Sequence, residues 1–156
     1  MKTAIFPGTF DPFTLGHASI VSRGLSLFDH IIIAIGVNSA KQTMFTLDER
    51  IIQIRACYLD EPHVEVSSYE GLTVDFAKSQ GADFILRGIR SLYDFEYERL
   101  LSDVNHKISD IETICLFAEP DYSSIQSNVI RELLNYKQDV GAFVPPAILE
   151  LLKKQS

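Results

Sequence analysis

An α/β fold, built on a doubly wound, parallel five-stranded sheet with flanking helices, is the architecture that this sequence predicts. Three observations carry the prediction. Five strand-like runs, Thr3–Phe6, His30–Val37, Val64–Ser67, Phe84–Leu86 and Thr113–Ala118, alternate with segments whose apolar residues recur every three or four positions. The first, second and last runs are nearly continuous in apolar residues, as parallel strands covered on both faces should be. No repeat, low-complexity tract or linker breaks the 156 residues, so one domain over 1–156, large enough to bury a core, is expected.

The helical segments follow in order. Ile20, Val21, Leu25 and Phe28 mark the first, which begins after Gly16-His17. Thr46-Leu47-Asp48-Glu49 has capping-box spacing and announces the second, around Ile51, Ile52 and Ile54. A third, Leu72–Ser79, stops before Gly81, a C-terminal cap. A fourth runs from Tyr93 to Ile108, and the last two are Asn128–Tyr136 and Pro146–Lys153. Asp139–Pro145 reads as a joint before a docked terminal helix, the element expected to meet another subunit. Five strands with right-handed crossovers give a Rossmann-like sheet. In the common order 3-2-1-4-5 ligands bind between strands 1 and 4, outside their carboxyl ends.

Composition narrows the function classes. Hydrophobic residues make up 46% of the chain, which excludes disorder as the general state. The formal net charge of −7 is poorly suited to gripping a nucleic acid backbone, though a few cations gathered locally could hold a small anion. No apolar run approaches the ~20 residues of a membrane span, and Met1-Lys2-Thr3 opens no signal peptide, so a cytoplasmic location is expected. Cys57 and Cys115 sit among apolar neighbours and read as buried, reduced thiols. His30, His63 and His106 have no partner at metal spacing, and no metal cluster or catalytic triad is visible.

The unusual residues follow strands 1 and 4, where the crevice should lie. After strand 1 comes "PGTFDPFTLGH". It lacks the lysine of a phosphate loop and the three glycines of a dinucleotide fingerprint. Gly8 permits close backbone approach, Thr9 offers a hydroxyl and an amide, Asp11-Pro12 makes a turn, and Gly16 leaves space before the helix. His17 would stand in the first helical turn, where the dipole favours an anion, able to donate a hydrogen bond to a phosphate oxygen. The blander possibility is that Gly8, Gly16 and His17 only shape a turn. After strand 4 comes Arg87-Gly88-Ile89-Arg90, which resembles a clamp on phosphate oxygens. The two arginines could equally be solvated partners of Asp94, Glu96 or Glu98, and Glu98 could instead reach a ribose or a base. Lys41, in the loop after strand 2, is either an exposed lysine or a further cation at a strand end. Ser123, Ser124 and Ser127 are helix caps or phosphate ligands. One histidine, one lysine, two arginines and several hydroxyls, with no general base, suit phosphoryl or nucleotidyl transfer rather than acyl or glycosyl hydrolysis.

"GTFDPFTLGH", "RGIR" and "SSIQSN" together resemble the three signatures of the nucleotidylyltransferase superfamily, the first being its T/H-x-G-H motif. Thr14 stands where many members have a first histidine. "MFTLDERI", "GLTVDFA" and "RGIRSLYDFEYE" extend the resemblance over nearly the whole chain, to the branch that adenylylates 4′-phosphopantetheine. It implies transfer of the adenylyl group of ATP to that acceptor, giving dephospho-coenzyme A and pyrophosphate. The alternatives are another phosphorylated acceptor or a non-enzymatic nucleotide-binding regulatory domain. By resemblance, Thr9 and Lys41 would hold the acceptor phosphate and the α-phosphate between them, His17 would stabilise the transition state, and Arg90 would join it in catalysis. Thr73 and Arg87 would touch the acceptor. Phe10, Gly88, Ile89, Arg90 and Glu98 would contact ATP. Tyr122, Ser123, Ser124, Ile125, Gln126, Ser127 and Asn128 would close over it, with Ser127 on its phosphates. Gln126 and Asn128 replace serines usual in the third signature. Magnesium would travel with the nucleotide, and a homohexamer is implied.

Overall fold

The computed structural model describes residues 1–155. In chain order the elements are β1 (Thr3–Gly8), α1 (Leu15–Gly24), β2 (His30–Gly36), α2 (Leu47–Cys57), β3 (Val64–Tyr69), α3 (Thr73–Ser79), β4 (Phe84–Ile89), α4 (Leu92–Ser109), β5 (Glu112–Phe117), a 3-10 turn (Pro120–Tyr122), α5 (Ser127–Asn135) and α6 (Pro146–Gln155). The strands form one sheet in the order β3-β2-β1-β4-β5, all neighbours parallel, as the sequence predicts. The register pairs Ile5 with Ile32 and Ile85. The carboxyl ends of β1 and β4 therefore lie side by side, at the reversal of strand order.

Alternation along the strands sorts the core into two layers. Ala4, Phe6, Ile31, Ile33, Ile35 and Leu86 face α1, α2, α5 and α6, meeting Val21, Ile54, Ile130 and Ile148. Ile5, Ile32, Ala34 and Ile85 face the other way, toward Val74 and Ala77 of α3. The second layer is thinner, and within α4, which packs on β4 and β5, only Glu98 and Ser109 are buried.

Two sequence expectations are corrected here. β5 is not covered on both faces: Ile114 and Leu116 pack on the first layer, whereas Glu112, Cys115 and Phe117 are exposed. Cys115 is thus an exposed thiol, since the exposed strand face cannot shelter a side chain, and Cys57, at the end of α2, is half-buried. The terminal helix is docked against α2, as expected. Its apolar side is used within the chain, where Ile148 is fully buried, while large apolar residues stay exposed on α4, among them Leu92, Tyr93, Leu100 and Ile108. α4 is an amphipathic helix whose second face this chain leaves bare.

Candidate active site

Beyond β1 the chain makes a tightly held turn. Phe10 has a left-handed backbone (φ 53°) and its ring lies beneath Gly8, where an added methyl group would come within 2.8 Å of it. Glycine alone fits there. The carboxylate of Asp11, read from sequence only as a turn residue, is buried and accepts from the backbone N–H groups of Met44 and Phe45, each at 2.9 Å. On the other side Arg131 donates to the Asp11 carbonyl and Ser127 to the Pro12 carbonyl, both at 2.9 Å. The loop after β2 and the start of α5 are thereby moored to the same turn. Ser127 is the first residue of α5 rather than its cap, and its hydroxyl hydrogen is committed to Pro12.

His17 closes the turn in an arrangement that sequence did not reveal. Thr14 caps α1, its Oγ1 accepting from the His17 N–H at 3.2 Å, and the Thr14 N–H donates to Nδ1 of the His17 ring at 3.0 Å. This is a capping box with histidine in place of the usual glutamate or glutamine. A neutral imidazole whose Nδ1 accepts carries its proton on Nε2. The ring stays neutral: burial against Phe6, Phe10 and Phe13, then the charges of Arg90 and Arg87, push its pKa down to about 3. The backbone thus fixes a neutral histidine with one donor left free.

Arg87, on β4, donates through Nε and Nη2 to the two carboxylate oxygens of Glu98, at 2.9 and 2.7 Å, and through Nη1 to the Pro7 carbonyl. Glu98 is 5% exposed, so of its open alternatives the structure makes it the partner of Arg87. Arg90 pairs with Asp94 at 3.2 Å and donates to the Ile125 carbonyl at 2.9 Å, joining β4 to the loop before α5.

Two cavities open on this framework. The larger, about 580 Å³, takes in Thr9, Lys41, Thr73 and Arg87, and runs along α4 to Ile85 and Thr113. The smaller, about 320 Å³, takes in Thr9, Phe10, His17, Gly88, Arg90 and Glu98, with Tyr122 and Ile125 to Asn128 along its rim. They share Pro7, Gly8, Thr9, Arg87 and Glu98. The sequence-predicted residues are brought together with few exceptions. The Ile89 side chain is in the core, and Ser123, whose hydroxyl donates to the Pro120 carbonyl, and Ser124 are exposed and line neither cavity. Lys41 is exposed at the lip, and the Thr73 hydroxyl meets that of Tyr69 at 2.8 Å. Sequence reasoning missed Asp11, Tyr69, Arg131 and Arg50. For Arg50 there was a signal, a charged residue on the inward stripe of α2 between Leu47 and Ile54.

The profile of the cytidylyltransferase-like family matches residues 5–133. The chain belongs to this family. Among its relatives, a protein of Bacteroides fragilis named phosphopantetheine adenylyltransferase is 50% identical over 93% of this chain and 97% of its own length. Its namesake from Bacteroides thetaiotaomicron is 51% identical over 93% and 96%, and that from Flavobacterium psychrophilum 49% identical over 95% and 98%. The cytidylyltransferase-like match takes in the carboxyl end of β1 and all of β4, and hence the wall between the cavities. No helix among the described residues is long and apolar enough to cross a membrane.

Proposed function

We infer that this protein transfers the adenylyl group of ATP to 4′-phosphopantetheine, giving dephospho-coenzyme A and pyrophosphate in coenzyme A biosynthesis. One observation carries the reading: two cavities meet at a common wall of Thr9 and Arg87, in a chain half identical to relatives bearing the adenylyltransferase name. A reaction that joins two phosphorylated molecules needs two rooms with a cation between them.

The larger cavity suits the acceptor, with its phosphate at Thr9, Lys41 and Arg87 and its chain along α4. The smaller suits ATP, with its phosphates before the N-terminus of α5, where unpaired backbone N–H groups favour an anion. An oxygen of the acceptor phosphate attacks the α-phosphorus, and the bond to the departing pyrophosphate breaks. The nucleophile is ionised at neutral pH, so no side-chain base is required. The Nε2–H of His17 donates to an α-phosphate oxygen as charge gathers on it. Being neutral, it gives its contact to the transition state rather than to ground-state attraction. Lys41 and Arg90 offset the charge of two approaching anions.

Magnesium would arrive with ATP, held largely by phosphate oxygens. Among the described residues no three His, Cys, Asp or Glu converge to hold a metal, and Asp11, Asp94 and Glu98 beside the nucleotide cavity are engaged by amides and arginines. We further propose a cytoplasmic homohexamer, for which the bare apolar face of α4 offers an interface. The deciding experiment offers the purified protein ATP and a panel of phosphorylated acceptors while pyrophosphate is followed. Release with phosphopantetheine is expected; no release with it would overturn the reading.

A further inference from the structure

Arg50 is the charged group that this scheme leaves unused. It lies in α2 and is 4% exposed. Its Nη1 donates to the Thr9 carbonyl at 2.8 Å and its Nε to the Thr46 carbonyl at 3.3 Å. Arg87, Arg90 and Arg131 each have a carboxylate within 4.0 Å; among the described residues Arg50 has none. Asp11 acts on its charge from beyond ion-pair distance, its carboxylate held in place by the Met44 and Phe45 amides. Burial pulls Arg50 below the usual arginine range, and Asp11 only opposes that pull. Burying a cation against backbone carbonyls alone is costly and needs something to offset it.

The place of Arg50 points to what that is. It lines the larger cavity with Thr9, Lys41 and Thr43, and does not reach the smaller one. Its hydrogen bond holds the carbonyl of Thr9, the residue on the wall between the cavities. We propose that Arg50 is a positioning residue for the acceptor phosphate: it fixes Thr9 through its carbonyl and sets a positive charge, offset only in part by Asp11 beyond ion-pair distance, beneath the acceptor cavity. The proposal rests on the adenylyltransferase reading. A plain structural clamp between α2 and the turn would have no preference between the two substrates.

The test compares Arg50→Met, which keeps the length of the side chain without its charge, and Arg50→Lys, which keeps the charge without the fork. Pyrophosphate release gives the acceptor KM, and equilibrium titration with ATP alone gives the nucleotide Kd. For Arg50→Met the acceptor KM should rise roughly 10- to 100-fold, the range of a lost charged hydrogen bond, with the ATP Kd changed less than about threefold. Arg50→Lys should fall between this variant and wild type, and only the wild-type and lysine enzymes should keep the full salt dependence of the acceptor KM. An acceptor KM within about twofold of wild type, or an equal loss for both substrates, would overturn the proposal. If Arg50→Met does not fold, the lysine variant decides alone: an unchanged acceptor KM refutes the role. Wild-type protein that releases no pyrophosphate would sink the adenylyltransferase reading and the acceptor role with it. Active wild type beside an unselective variant sinks the Arg50 role only.

Discussion

Replacing His17 with alanine removes one neutral donor from a site walled by Phe6, Phe10 and Phe13. A preorganised hydrogen bond to an oxygen that gains charge is worth about 3 to 4 kcal/mol, or a 10²- to 10³-fold loss in kcat. The ATP Kd should change less than about threefold, because the contact strengthens only as the transition state forms. Pyrophosphate release at saturating substrate gives the first number and equilibrium titration the second. The same geometry sets a pH expectation. With the ring pushed down to about 3, the free protein holds His17 neutral at every pH above about 5, so no His17 limb should appear in the kcat/KM profile between pH 6 and 8. Linkage carries the same sign. The folded pKa lies below the unfolded value near 6.5, so the folded state binds fewer protons between them. Stability attributable to His17 is full above pH ~6.5 and is lost toward pH 3, by at most about 1.4 kcal/mol per pH unit. A variant that keeps more than a tenth of wild-type turnover would refute the assigned role. A His17 resonance titrating between pH 6 and 7 would refute the electrostatic account behind it.

Glu98→Gln breaks the fork with Arg87 and leaves that guanidinium free to turn. It should lower stability by roughly 2 kcal/mol, less than a fully buried pair because Arg87 still faces the cavities, and raise both KM values, since Arg87 stands on their common wall. Thermal denaturation and steady-state kinetics check it, and a loss confined to one substrate would contradict the shared wall. Gln53 is fully buried with neither amide atom hydrogen-bonded, so Gln53→Leu should raise stability by about 1 to 2 kcal/mol, seen as a higher Tm; a lower Tm would mean the amide has a partner such as an ordered water.

The frame of the site was legible because its signals are local. Apolar runs and helical spacing marked the elements, Thr46 and Glu49 marked a helix start that the structure reproduces as a full capping box, and the residues after β1 and β4 stood out at the crevice. The equivalent box at α1 was missed because histidine fills the position that usually identifies it. Even so, the composition of the site was readable: one histidine, one lysine and two arginines at strand ends.

Sequence by itself therefore determined the α/β class, the alternation of strands and helices and the kinds of group available to handle phosphates, which follow from local patterning and composition. Only the tertiary structure decided how those groups are held. Glu98 neutralises Arg87 from the next helix, Asp11 ties residues 33 and 34 positions away, and Arg50 reaches Thr9 across 41. It also decided that Cys115 on β5 stays exposed and that the larger cavity opens beside α4. Such pairings depend on where distant segments come to rest, and no periodicity or spacing along the chain encodes them directly.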